Sequence, residues 1–219
     1  MAIKAVIFDM DGVLVDSEVY WAKSRGEFAH DRNKEWTDNM QRQAMGQSTI
    51  GWAKVMKEAL SLDESLDEII VEMKERVIAN YELKMPTRPG AIESVKHMKE
   101  YYRVGLASGS PTEIIKAVLR ITELDQIFEV IIYGDDIPRG KPAPDIYLEA
   151  VKQLGVNPDV TVGIEDSANG IRSLKAAGMY AVAAPSPDFP LPDEILALVD
   201  AHLTTLEDFT RDLIRKIES

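Results

Sequence analysis

Short apolar runs and amphipathic stretches alternate along most of the chain. Ala5-Val6-Ile7-Phe8, Val104-Gly105-Leu106-Ala107, Val130-Ile131-Ile132-Tyr133, Val160-Thr161-Val162-Gly163-Ile164 and Tyr180-Ala181-Val182-Ala183 are rich in β-branched residues. Each is followed by polar or glycine-containing sequence. Runs this short, apolar without strict alternation, predict strands buried on both faces of a parallel sheet. Between them, Thr112 to Ile121, Pro144 to Leu154 and Ala168 to Ala177 are amphipathic and predict crossover helices. The expected fold class is α/β, a doubly wound parallel sheet.

One interval breaks the alternation. From Ser17 to about Lys84 no strand pattern occurs, only helical spacing interrupted near Gly46 and around Leu62-Asp63. Pro86, Pro89 and Gly90 then suit a linker returning to the main domain. The expected organisation is a core domain from residues 1–16 and 87–219, with a helical cap domain at 17–86 inserted after the first strand. Such an insert lies above the carboxyl ends of the strands, where sheets of this kind bind ligands, and is placed to act as a lid. It is equally readable as a helical subdomain added for stability or pairing. The stretch from Leu206 to Ile217 reads as one amphipathic helix, covering a sheet edge or serving a dimer.

The chain has 219 residues, 45% of them hydrophobic, enough for one domain carrying an insertion. No apolar stretch is long enough to span a bilayer, and Ala2 to Phe8 is too short and too soon acidic for a signal peptide. The expectation is a cytoplasmic protein without a membrane partner, monomeric or weakly dimeric. The absence of cysteine excludes disulfides, thiol catalysis and thiolate metal sites. A formal charge of -12 disfavours nucleic acid. It also means that an anionic substrate requires a local positive site, made by a metal ion, a lysine or a helix N-terminus.

Four segments carry candidate chemistry. Asp9-Met10-Asp11-Gly12 follows the first strand, and two carboxylates one residue apart can divide the roles of nucleophile and proton donor. Glu165-Asp166-Ser167 puts a second acid pair after another strand, although Asp166 and Ser167 also suit a helix cap. Clustered carboxylates need a cation, and oxygen ligands without cysteine or a nearby histidine select Mg²⁺. His30, His97 and His202 lie far from every motif and read as structural or exposed. Ser108-Gly109-Ser110 before a helix offers a hydroxyl and backbone N–H groups to phosphoryl oxygens, or is only an N-cap. Lys141, in Gly140-Lys141-Pro142, can neutralise a phosphate and its attacking carboxylate, or be merely solvated.

In order and context these segments, beginning VIFDMDGVLVDSE, resemble the haloacid dehalogenase superfamily over essentially the whole chain. The pattern is that of the subfamily with a helical cap inserted after the first motif, similar to β-phosphoglucomutase-like proteins and sugar-phosphate phosphatases. The resemblance implies a Mg²⁺-dependent hydrolase acting on a small phosphorylated metabolite. It casts Asp9 as a nucleophile forming an aspartyl-phosphate and Asp11 as general acid and base. Ser108 and Gly109 would hold phosphoryl oxygens, and Lys141 would balance charge. Asp9, the backbone carbonyl of Asp11, and Asp166 would ligate the metal, with Glu165 supporting it directly or through water. Asp11 argues against the dehalogenases and phosphonate hydrolases of the group, which lack it. β-Phosphoglucomutases carry a histidine where Trp21 aligns and an arginine near Thr49, so a sugar phosphomutase is the alternative and a phosphatase the first reading. A catalytically silent phospholigand-binding protein is a third, opposed by the complete set of catalytic groups. Glu18 and Trp21 are the cap candidates for substrate contact, with Trp21 equally readable as packing.

Overall fold

The computed structural model describes residues 2–218, so Met1 and Ser219, the outer limits of the expected core, lie outside the described residues. A first strand, β1 (Ala5–Phe8), leads directly into four helices: α1 (Ser17–His30), α2 (Asp38–Ala44), α3 (Thr49–Ala59) and α4 (Leu66–Leu83). The alternating part follows as α5 (Ala91–Lys99), β2 (Arg103–Ser108), α6 (Thr112–Thr122), β3 (Val130–Tyr133), α7 (Asp145–Leu154), β4 (Thr161–Glu165), α8 (Ala168–Ala176) and β5 (Tyr180–Ala183). A short α9 (Asp193–Leu196), β6 (Ala201–His202) and α10 (Arg211–Glu218) complete it.

The strands form one parallel sheet in the order β3-β2-β1-β4-β5-β6. Successive residues of the central strands face opposite sides, and both sides are covered. Val6, Phe8, Leu106 and Ile164 join one buried cluster, while Ala5, Ile7, Ala107 and Ala183 join another beneath α7 and α8. This two-sided burial is why the strands read as continuous apolar runs. The order reverses between β1 and β4, the switch point at which doubly wound sheets open a crevice beyond their carboxyl ends.

The helical interval is as expected in type, with breaks on either side of Gly46 and of Leu62-Asp63, and a further break at residues 31–37. α4 begins with a full capping box, in which the Ser65 hydroxyl accepts from the Glu68 N–H and the Glu68 carboxylate accepts from the Ser65 N–H. The two connections to the rest of the chain run side by side. Asp16 N donates to Pro86 O at 2.8 Å and Arg88 N donates to Leu14 O at 3.0 Å, around an antiparallel bridge of Val15 with Thr87. Arg88 also donates to the Gly12 carbonyl at 2.7 Å and the Pro185 carbonyl at 3.3 Å, fastening this paired linker to the loop after β1.

The expected single C-terminal helix is instead a 3-10 turn, Leu206–Asp208, followed by α10. The break follows from packing. Phe209 turns inward and meets the ring of Phe8 edge-on at 5.9 Å, so the chain leaves the helical path before Ile214 is buried. Three of the helices and strands named above escaped the sequence reading: α5, the four-residue α9 and the two-residue β6, the last two too short to show a period. Replacing Phe209 by Ala should lower stability by about 3–5 kcal/mol, the usual range for emptying a buried aromatic site. Urea unfolding followed by circular dichroism measures it.

Candidate active site

The sheet register assembles the site. Phe8 pairs with Leu106 on one side and Ile164 on the other, so the next residues, Asp9, Ala107 and Glu165, reach a common level at the carboxyl ends of three adjacent strands. Asp9 N still donates to Ile164 O at 3.0 Å, which fixes its backbone to β4. Both acid side chains are buried, Asp9 at 5% and Glu165 at 1% exposure.

Lys141 bridges them. Its ammonium donates to Asp9 Oδ1 and to Glu165 Oε1, both at 2.6 Å, and to the Ala107 carbonyl at 3.3 Å. Tyr147 of α7 completes the arrangement: its hydroxyl donates to Glu165 Oε1 at 2.5 Å, and its ring lies 5.0 Å from the Lys141 nitrogen. Burial alone would push the Lys141 ammonium down, but Asp9 and Glu165 hold it well above lysine's ordinary value. It is a fixed positive charge. The solvated-loop reading of this lysine is excluded by these contacts.

The second acid pair divides in function. Carboxylate oxygens of Asp9, Glu165 and Asp166 all lie within 4.8 Å of one another. Burial raises the carboxyl of Asp9 well above its usual range; Lys141 opposes this and Glu165, Asp11 and Asp166 reinforce it. Asp166 is raised to about 7, through burial first and the Glu165 charge second. One lysine therefore leaves the group short of positive charge. Oxygen-only donors, crowded and partly unneutralised, fit a hard divalent cation such as Mg²⁺.

Asp11 points elsewhere. Its Oδ2 accepts from Ser108 Oγ at 3.0 Å and from Ser110 Oγ at 2.7 Å, while its Oδ1 is buried without a partner. Its carboxylate is not one of the three that lie within 4.8 Å of one another, although its charge still acts on Asp9 and Asp166. The Ser108 hydroxyl is not a helix cap. α6 is capped from the loop after β3, where Asp135 Oδ2 accepts from Thr112 N at 2.8 Å and Thr112 Oγ1 at 2.9 Å. Ser108 is left free to face Asp11. Gly109 is braced from behind by Gly134, whose absent Cβ would otherwise meet the Gly109 backbone at 2.7 Å. Ser167 does cap α8, accepting from Gly170 N at 3.1 Å, and also donates to Glu165 Oε2 at 3.2 Å.

Two glycines make room for the acids. A Cβ on Gly12, which has φ of +73°, would fall 1.8 Å from Asp166 Oδ2, and one on Gly170 would fall 1.9 Å from the Glu165 carboxyl. Ser110, Tyr147 and Gly170 were missed as site residues; only Ser110 stood inside a motif. The three histidines are away from this site: His30 and His202 are exposed, and His97 is at the surface beside Tyr101.

Of the cap candidates, Trp21 is 7% exposed and packs on Trp52 with ring centroids 5.4 Å apart, so its packing role is observed. Glu18 faces inward, pairs with Arg25 at 3.4 Å, accepts a short hydrogen bond from Gln41, and feels the charge of Asp11.

The chain is a phosphohydrolase, as its named relatives attest. It is 34% identical over 179 residues to the phosphorylated carbohydrates phosphatase of Thermotoga maritima, spanning 80% of this chain and 82% of that one. It is 32% identical over 220 residues to hexitol phosphatase B of Escherichia coli K12, spanning 97% of each. Residues 3–178 match the haloacid dehalogenase-like hydrolase model, and the chain belongs to that family. The β-phosphoglucomutase of Clostridium difficile shares the fold, with a TM-score of 0.80 at 23% identity over 99% of this chain and 97% of that one. Among the described residues no helix is long and apolar enough to cross a membrane.

Gly170→Ala should displace the Glu165 carboxylate and so loosen Lys141. The expected result is a loss of turnover of about a hundredfold, the scale of misplacing one catalytic charge, with secondary structure retained. Steady-state kinetics beside a circular dichroism spectrum tests this.

Proposed function

We propose that the chain hydrolyses a small phosphate monoester, a sugar or polyol phosphate, through an aspartyl-phosphate on Asp9. The observation that carries the reading is the Lys141 ammonium, 2.6 Å from Asp9 Oδ1, in a site that also presents Ser108 and Asp11 at the same strand ends. The named relatives act on phosphorylated carbohydrates and hexitol phosphates, which supports the substrate class.

In this scheme Asp9 Oδ attacks phosphorus and the bond from phosphorus to the leaving oxygen breaks. Asp11 supplies the proton that converts the departing alkoxide to an alcohol. Its Oδ1, buried and without a partner, is the atom open to that transfer, while Ser108 and Ser110 hold Oδ2. Asp11 then takes a proton from water as the water oxygen attacks phosphorus, releasing inorganic phosphate and restoring the Asp9 carboxylate. Ser108 Oγ and the Gly109 N–H receive the phosphoryl oxygens, and Lys141 favours the ionised form of Asp9 and offsets the incoming charge. Asp9, Asp166 and the Asp11 carbonyl would hold Mg²⁺, with Glu165 in support; the cation supplies charge neutralisation on the phosphoryl oxygens. Helices α1 to α4 act as a cap domain hinged at the paired linker, with residues 17–86 moving as the lid.

A phosphomutase reading would need a cap group that grips a second phosphate. Trp21 packs against Trp52, and Thr49 opens α3 where an arginine would be needed. Neither supplies it.

Asp9→Asn should reduce phosphate release by a factor on the order of 10⁴ or more while the fold is kept. Turnover by that variant near the wild-type rate would remove Asp9 from its role. Mg²⁺ at about a hundred times its dissociation constant should stabilise the protein by about 2.7 kcal/mol, seen as a rise in the thermal midpoint. That rise should vanish in Asp166→Asn, and chelator should abolish phosphate release.

A further inference from the structure

One group expected to face the cation, the Asp11 carbonyl, lies beyond the end of β1 and is not fixed by the sheet. It shares a peptide plane with the Gly12 N–H, so whatever holds that N–H aims the oxygen. The Gly12 N–H donates to Val15 O at 2.7 Å. On the other side of the same residue, the Gly12 carbonyl accepts from Arg88 Nη1, also at 2.7 Å. Gly12 is therefore pinned from both ends in a left-handed conformation, with φ of +73°.

Its place also sets the spacing between the Asp11 carbonyl and Asp166. A Cβ on Gly12 would fall 1.8 Å from Asp166 Oδ2, so the backbone of this residue already lies against that carboxylate. Any displacement of Gly12 changes how the two groups face one another.

Both pins belong to the paired linker of the helical interval. Val15 makes the antiparallel bridge with Thr87, and Arg88 N donates to Leu14 O at 3.0 Å. Val15 acts through its backbone, whereas Arg88 acts on Gly12 through its guanidinium. That guanidinium is half-buried, and its second bond goes to the Pro185 carbonyl after β5 at 3.3 Å. Among the described residues it pairs with no carboxylate. In a chain with 37 acidic residues against 25 basic ones, an arginine committed to the carbonyls of two separate loops serves backbone geometry rather than charge pairing. Its planar fork spans both acceptors, which the single ammonium of a lysine does not reproduce.

We propose that Arg88 is a positioning residue for the cation site and couples that site to the linker of the helical cap. It holds Gly12 so that the Asp11 carbonyl faces the cation beside Asp166, and cation binding in turn tightens the paired linker. The proposal rests on the Mg²⁺ ligands named under the phosphatase reading and adds the residue that sets their spacing. The coupling is reciprocal: if a fastened linker favours the cation, the cation fastens the linker by the same factor.

Mg²⁺ binding to the full-length wild type, Arg88→Met and Arg88→Lys is measured by titration calorimetry without substrate. Met keeps the apolar stem and removes every donor, while Lys keeps the charge and one donor group. The Mg²⁺ dissociation constant should rise about tenfold in Arg88→Met, the worth of one hydrogen bond from a charged donor, and by less in Arg88→Lys. Saturating Mg²⁺ should also slow hydrogen exchange of the Asp16 amide, which closes the linker on Pro86 O, in wild type but not in Arg88→Met. An arginine that only fastened the fold would lower the thermal midpoint of the metal-free protein and leave Mg²⁺ affinity at the wild-type value. That result in both variants overturns the proposal. Should Arg88→Met not fold, wild-type exchange at Asp16 decides, and indifference of that amide to Mg²⁺ overturns the coupling. Wild-type protein that takes up no Mg²⁺ overturns the cation site and the proposal with it. Mg²⁺ binding with the expected dependence on Arg88, but no phosphate release from sugar phosphates, upholds the proposal and overturns the phosphatase reading.

Discussion

One ammonium group holds the site together. Without Lys141, the adjacent ends of β1 and β4 would bring Asp9 and Glu165 together below the surface with nothing between them. Two buried carboxylates at that spacing cannot both stay ionised unless a cation lies between them. The lysine also links parts of the chain that the sheet does not join, because it comes from the loop before α7 and reaches the ends of β1, β2 and β4. A buried ion pair of this kind adds little net stability, since desolvating the charges costs several kcal/mol per ion. Its value is positional. The third carboxylate, Asp166, exceeds what one lysine can balance, which makes the site a receptor for further positive charge within a protein of net charge -12.

Backbone geometry protects this arrangement more than side-chain packing does. Gly12, Gly134 and Gly170 each vacate a volume that a neighbouring site group fills: the Asp166 carboxylate, the Gly109 backbone and the Glu165 carboxyl. Tyr147 then fixes Glu165 from α7, so that the carboxylate meets its lysine in one orientation. The candidate catalytic groups sit at strand ends of the buried sheet, and Arg88 ties the entrance of the helical interval to the same loop through the Gly12 carbonyl.

Much of this was legible in the sequence because strands and acid pairs are local signals. The runs from Ala5 and from Val160 ended in carboxylates, and parallel pairing at the switch point then leaves Asp9 and Glu165 few places to go except together. The four-helix interval was legible for the same reason, as helical spacing sustained between Ser17 and Lys84. Interactions set by tertiary contact were not. Tyr147 reads as an ordinary apolar position of an amphipathic helix, and nothing near it in sequence names Glu165 as its acceptor. The role of Ser108 was ambiguous until Asp135, 27 residues further on, proved to cap α6 and release it. The C-terminal helix was misjudged because its hydrophobic spacing continues through Phe209, whereas that ring is claimed by Phe8.

The division of labour between sheet and cap has an energetic consequence. At the strand ends Asp9, Asp11, Ser108 and Lys141 each hold hydrogen-bond partners, so these side chains are fixed in place before any ligand arrives. Under the helices, by contrast, Arg25 and Tyr81 keep hydrogen-bonding capacity unused.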